Sequence, residues 1–258
     1  MFEKIKCFIL DMDGTIYLGN ELFSYTKEFL KKVDETGRKY YFFTNNSSKS
    51  QQDYIEKLEK FGIRIKSQQM MTSTHVISRY LKQHYEGKSV YVLGTPSLIQ
   101  EFKYFDMNLT EEDPDIVVLG FDTTLTYEKL SKACHYIRNG CIYFGINPDW
   151  NCPMEGGAFI PDCGSIAKLI EASTGRFPEF FGKPSKHTLD YIIQETGYEP
   201  DEIAIVGDRL YTDIAVADQS DVTSILVLSG ESTREDVKTS DVKPNVILED
   251  LSEITKML

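Results

Sequence analysis

The sequence predicts an α/β protein with a Rossmann-like parallel-sheet core and a second α/β domain inserted into it. Short apolar runs alternate with amphipathic stretches at helical spacing along nearly the whole chain, the pattern of repeated βα units with parallel pairing. The polar motifs able to carry chemistry lie near residues 11–15, 44–46, 183 and 207–213. Roughly a hundred residues without such a motif separate the second from the third, with strands and helices of their own and enough length to fold as a unit. The expected division is therefore 1–70 with 179–258 as a discontinuous core, and 71–178 as the insert.

In chain order, Cys7-Phe8-Ile9-Leu10 reads as a strand buried on both faces. A helix follows around Tyr25 to Glu35, with Phe29, Leu30 and Val33 at helical spacing and Gly37 as its stop. Tyr40 to Phe43 is the second strand. Ser50 to Phe61 places Tyr54, Ile55, Leu58 and Phe61 on one helical face. In the insert, Val90 to Leu93, Ile116 to Leu119 and Ile142 to Phe144 read as strands, and Thr74 to His84, Pro96 to Tyr104 and Tyr127 to Arg138 as helices. Towards the C-terminus, Ser185 to Glu195 reads as a helix, with strands at Ile203 to Val206 and Ser224 to Leu228.

Composition narrows the function classes. With 41% hydrophobic and 12% aromatic residues the 258-residue chain can bury a substantial core. Its 40 acidic and 28 basic residues give a formal charge of −12, which repels nucleic-acid phosphates and anionic lipid. Neither nucleic acid nor membrane is expected as a partner, and an anionic substrate would need a local positive field such as a metal ion supplies. The five cysteines are scattered, without a CxxC pair, and read as free thiols in a reducing, cytoplasmic setting. Cys134, His135 and Cys141 are poorly spaced as zinc ligands and read better as small hydrophobes. No apolar run reaches the roughly 18 residues of a membrane span, and the run ending at Leu10 is too short for a signal peptide.

Asp11-Met12-Asp13-Gly14-Thr15 follows the first strand, where open α/β sheets bind ligands. Two carboxylates at i and i+2 followed by glycine offer a nucleophile, a proton carrier and a backbone able to approach an anion closely. Thr44-Asn45-Asn46 ends the second strand; alone, such a triplet is as commonly a turn or a helix cap. Phe181-Gly182-Lys183-Pro184 supplies a lysine that would otherwise read as a surface residue. Gly207-Asp208-Arg209-Leu210-Tyr211-Thr212-Asp213 follows a third buried strand, and its acids at i and i+5 can converge on a hard cation.

In this order the four motifs resemble those of the haloacid dehalogenase superfamily. The match is most similar to its capped 4-nitrophenylphosphatase-like, NagD-type branch, in which an α/β cap follows the second motif. The resemblance implies a Mg²⁺-dependent phosphatase acting on a small phosphorylated metabolite through an aspartyl-phosphate. Asp11 would be the nucleophile and Asp13 the proton carrier. Gly14, Thr44, Asn45 and Lys183 would hold the phosphoryl group, and Asp11, Asp13, Asp208 and Asp213 would serve the metal. It also implies that the insert is a cap, a possible homodimer contact, and that Asn147, Asp149 and Trp150 on Asn147 to Ser165 bear on substrate choice. That stretch, with Gly156-Gly157 and Pro161, fits a contact loop or an ordinary long loop, and Trp150 either covers a planar leaving group or anchors the cap's own core.

Competing readings fit less well. Dehalogenases of this fold need no metal, so Asp13, Asp208 and Asp213 argue against them. Phosphoglucomutase-type relatives have helical caps, and a catalytically dead binding module would be expected to lack Asp11, Asp13 or Lys183. A nucleotide-binding Rossmann protein would have a GxGxxG after the first strand, and there is none.

Overall fold

The computed structural model describes residues 2–154 and 157–258. Gly156 of the Gly156-Gly157 pair lies outside the described residues. Contacts divide the chain into two units: Met1–Thr44, Ile55–Met71 and Lys183–Leu258 in the first, Asn45–Tyr54 and Thr72–Gly182 in the second. The division expected from the motifs differs at three places, the smallest being that the first unit includes Met71. Residues 45–54 group with the second unit, and the return to the first falls at Lys183 rather than 179. These points are not visible in the alternation of strands and helices, because they depend on contacts between segments distant in the chain.

The first unit holds β1 (Cys7–Leu10), the short hairpin β2 (Tyr17–Leu18) and β3 (Glu21–Leu22), α1 (Thr26–Glu35), β4 (Lys39–Thr44) and most of β5 (Met70–Thr72), with α2 (Gln51–Lys60) between β4 and β5 in the chain. Later segments add β12 (Ile203–Gly207), β13 (Thr223–Val227) and β14 (Val246–Leu248). The order is β14-β13-β12-β1-β4-β5, with parallel pairing from β14 through to β4. All four residues of β1 are buried, as its unbroken apolar run requires. α1 sinks Phe29, Leu30 and Val33 into the core and stops at Gly37, whose φ of 75° favours glycine. The chain runs from β1 outward to β4 on one side and returns to β12 on the other, so β1 and β12 flank the switch point where such sheets bind ligands.

The second unit carries β6 (Val90–Leu93), β7 (Ile116–Leu119), β8 (Ile142–Gly145) and β11 (Glu179–Phe180), parallel in the order β11-β8-β7-β6. Its helices include α3 (Ser73–His84), α4 (Pro96–Tyr104), α5 (Tyr127–Arg138) and α6 (Cys163–Thr174). Thr72, Thr95, Thr126 and Asp162 cap these four through their side chains, and Pro96 opens α4. The stretch Asn147 to Ser165 is not one loop. It contains an antiparallel hairpin, β9 (Asn151–Pro153) with β10 (Phe159–Pro161), whose Cys152 and Ile160 lie on the unit's core. Three-residue strands set among prolines carry no readable period. Cys134 is buried, and Cys141 Sγ donates to the Pro114 carbonyl at 2.8 Å. All five cysteines are free thiols. Among the described residues no helix is long and apolar enough to cross a membrane.

Candidate active site

The register of the central strands assembles the site. Leu10 pairs with Val206 on one side and Phe42 on the other, so Asp11, the end of β12 and the end of β4 emerge together. Asp11 N–H donates to the Val206 carbonyl at 2.8 Å, extending that pairing by one bond. The carboxylates of Asp11, Asp208 and Asp213 converge, with one oxygen of each within 4.8 Å of the others. Lys183 arrives from 172 residues away, its Nζ 2.6 Å from Asp11 Oδ1 and 2.5 Å from Asp213 Oδ1, with a longer bond of 3.4 Å to the Phe43 carbonyl. Thr44 is buried at the end of β4.

Each acid is held differently. Asp213 has both oxygens engaged, Oδ1 by Lys183 and Oδ2 by the Arg209 N–H at 3.1 Å. Asp208 Oδ2 accepts from the Glu231 N–H at 2.7 Å, whereas its Oδ1 is buried without a hydrogen-bond partner. Asp13 Oδ2 accepts from the Tyr17 hydroxyl at 3.2 Å. Glycines make the room. A Cβ on Gly14 would stand 2.3 Å from Asp208 Oδ2, and one on Gly230 would stand 2.0 Å from the same atom. Gly14 also has φ 87°, so its glycine is required both by backbone conformation and by the adjoining carboxylate. Sequence reasoning had assigned it only to anion approach.

Burial raises the Asp11 and Asp208 carboxyls above the ordinary range, and repulsion from neighbouring carboxylates adds to it. Burial alone would lower Lys183, but Asp11 and Asp213 outweigh it and hold the ammonium charged. Were all three carboxyls ionised, Lys183 would balance only one of them, a charge deficit that the nearby Arg209 eases and that helps to raise Asp11 and Asp208. The all-oxygen donor set, the orphaned Asp208 Oδ1 and this charge deficit fit a hard divalent cation.

Asn45, Asn147, Asp149 and Trp150 belong to the second unit. Asn45 is the first residue of the segment that groups with the second unit, and its Nδ2 donates to Asp149 Oδ2 at 3.0 Å. Asn147 is fully buried; its Nδ2 donates to Asp149 Oδ2 at 2.8 Å and to Asp162 Oδ1 at 2.9 Å, and its Oδ1 accepts from Ser47 Oγ at 2.7 Å. Ser47 Oγ in turn accepts from the Phe121 N–H at 2.8 Å. Asn147 and Asp149, expected to bear on substrate choice, have side chains that bond to 45–47 and to one another within the second unit. Trp150 is 48% exposed and does not anchor a core. Sequence reasoning missed Tyr17 and the turn Ser229-Gly230-Glu231. The glycine of that turn, just beyond a buried strand, was the available signal.

Comparison with known proteins agrees with the geometry. A model for haloacid dehalogenase-like hydrolases matches residues 8–108, and a second, HAD-hydrolase-like model matches 180–254. An acid sugar phosphatase of Staphylococcus aureus is 34% identical over 252 residues, 97% of both chains. The chain belongs to the haloacid dehalogenase-like hydrolase family. Among solved structures, this hydrolase is similar to a 4-nitrophenylphosphatase of Thermotoga maritima, with TM-score 0.95, 42% identity, and 99% and 98% of the two chains covered. NagD of E. coli K-12 matches with TM-score 0.88 and 30% identity over 96% and 98%. Within the family, the hydrolase falls with these NagD-type phosphatases.

Proposed function

We propose that the hydrolase removes phosphate from small phosphomonoesters, sugar phosphates and nucleoside monophosphates among them, in a Mg²⁺-dependent reaction through an aspartyl-phosphate on Asp11. The observation that carries this reading is the convergence of Asp11, Asp208 and Asp213 around Lys183 at the ends of β1 and β12. The acid sugar phosphatase and 4-nitrophenylphosphatase names of its relatives support the substrate class.

In this mechanism an Asp11 oxygen attacks phosphorus, and the phosphoryl group passes to it as the ester oxygen leaves. Asp13 gives its proton to that oxygen, then takes one from the water that cleaves the acyl phosphate. Lys183, the Thr44 hydroxyl and the Asn45 N–H hold phosphoryl oxygens as charge develops on them. Asp11, the Asp13 carbonyl and Asp208 would hold Mg²⁺. Asp213, with both oxygens engaged, orients Lys183 and the loop rather than competing for the ion. The ion, when bound, offsets the repulsion between the Asp11 carboxylate and the phosphate. The free thiols suit a cytoplasmic enzyme.

The test is a panel of phosphorylated metabolites and 4-nitrophenyl phosphate, assayed with Mg²⁺ and with chelator. Turnover is expected with the metal and lost without it. Full turnover in a chelated, metal-free sample would remove Mg²⁺ from the mechanism.

A further inference from the structure

We propose that Tyr17 is a positioning residue for Asp13, fixing which carboxyl oxygen carries the transferred proton. The inference rests on the reading of Asp13 as proton carrier given above.

Tyr17 is fully buried, which is unusual for a residue with a hydroxyl to satisfy, and that hydroxyl reaches Asp13 Oδ2 at 3.2 Å. Backbone bonds hold the two residues together. The Gly14 N–H donates to the Tyr17 carbonyl at 2.8 Å, and the Tyr17 N–H donates to the Met12 carbonyl at 3.3 Å. Tyr17 then starts β2, paired with Leu22 of β3. Its ring lies against Phe61, centroids 5.6 Å apart, and Lys57 Nζ stands 3.6 Å from the ring centroid. A cation on the ring face draws electron density toward itself and makes the phenol a better donor. The phenol is therefore immobile and biased to donate.

A carboxylic acid has two oxygens, and only one can face the departing ester oxygen. With the Tyr17 O–H bonded to Oδ2, the transferable proton is kept on Oδ1. As the phosphorus–oxygen bond breaks, that proton passes to the leaving oxygen and Asp13 becomes a carboxylate. When water attacks the phosphoryl-aspartate, the same Oδ1 takes a proton from it. Tyr17 keeps its own proton throughout.

The experiment is kcat/KM for a series of substituted phenyl phosphates of graded leaving-group acidity, for wild type, Tyr17→Phe and Asp13→Asn. Tyr17→Phe retains the ring and removes only the donor. 4-Nitrophenolate leaves without much help from an acid, whereas unsubstituted phenolate needs it. Asp13→Asn should lose on the order of 10²–10⁴ on phenyl phosphate, far more than on 4-nitrophenyl phosphate. Tyr17→Phe should show the same graded pattern at roughly a quarter to a half of the scale in log terms, about tenfold on phenyl phosphate and under about threefold on the nitro ester. A graded loss in Asp13→Asn with a uniform loss, or none, in Tyr17→Phe would overturn the proposal and leave the reading of Asp13 intact. No grading in Asp13→Asn itself would overturn that reading, and the Tyr17 proposal with it.

Discussion

Replacing Lys183 by Met tests the electrostatics of the site most directly. The ammonium is 3% exposed and contacts Asp11 at 2.6 Å and Asp213 at 2.5 Å, whose side chains are 13% and 1% exposed. Met keeps most of the volume and removes the charge, leaving two buried carboxylates with no cation between them. Removing one partner of a buried ion pair costs about 3–5 kcal/mol. At roughly 2–4 °C per kcal/mol for a unit of this size, Tm in chelator should fall on the order of 10 °C. The variant site keeps Asp11 and Asp208, with Asp11 freed from a competing ammonium, so it should bind Mg²⁺ more tightly than wild type does. A ligand at 100 times its Kd adds about 2.7 kcal/mol, so excess Mg²⁺ should recover more than half of the loss. The assay is thermal denaturation of both proteins in chelator and in excess Mg²⁺. A variant as stable as wild type in chelator would refute the buried-charge argument. A Mg²⁺-induced rise no larger than that of wild type would refute the assignment of Asp11 and Asp208 to the metal.

Asp11→Asn should abolish turnover on every substrate with the fold intact by circular dichroism, because the amide preserves volume but is a far weaker nucleophile; near-normal activity would place the nucleophile elsewhere. His75, against Phe105 and with its Nδ1 taking the Thr72 N–H at 3.1 Å, is held neutral: burial, then Arg79, lowers its pKa from 6.5 to about 4. The unfolded chain then binds the extra proton, so stability is complete above about pH 6.5 and drops by up to about 3 kcal/mol as pH falls toward 4. His75→Gln keeps an N3 acceptor for the cap and should flatten that part of the stability–pH curve in chemical denaturation. Asn147→Ala, which removes one hydrogen-bond partner each from Ser47, Asp149 and Asp162, should cost about 2–4 kcal/mol and lower kcat/KM evenly across substrates. Trp150→Ala, at a half-exposed site, should barely move Tm yet change kcat/KM unequally across the panel if the side chain reads the leaving group; an even loss with clear destabilisation would make it structural.

Much of the fold was legible because buried parallel strands leave an unmistakable mark. Val90–Leu93 and Ile116–Leu119 have the bounds their apolar runs indicate, and α4 and α5 those of their helical pattern. What escaped is short or masked. β5 and β14 are three residues each, below the length at which a period can be read. α6 starts Cys163-Gly164-Ser165, a poor helical opening. The glycine is there because a Cβ would lie 2.3 Å from the Pro148 carbonyl oxygen, a contact no local pattern announces.

The sequence alone determined the chemistry available: Asp11 and Asp13 after one buried strand, Asp208 and Asp213 after another, and a lysine before a proline. These are local facts, since a strand and the motif at its end are contiguous in the chain. Only the tertiary structure decided what those groups do to one another. Asp213 spent on Lys183, Asp208 held by Glu231 with one bare oxygen, and Asn147 bonded to Ser47 all depend on pairings between distant segments. Hydrophobic periodicity tells which side of an element is buried; it does not tell which other element covers it, and the roles of polar groups are set by that partner.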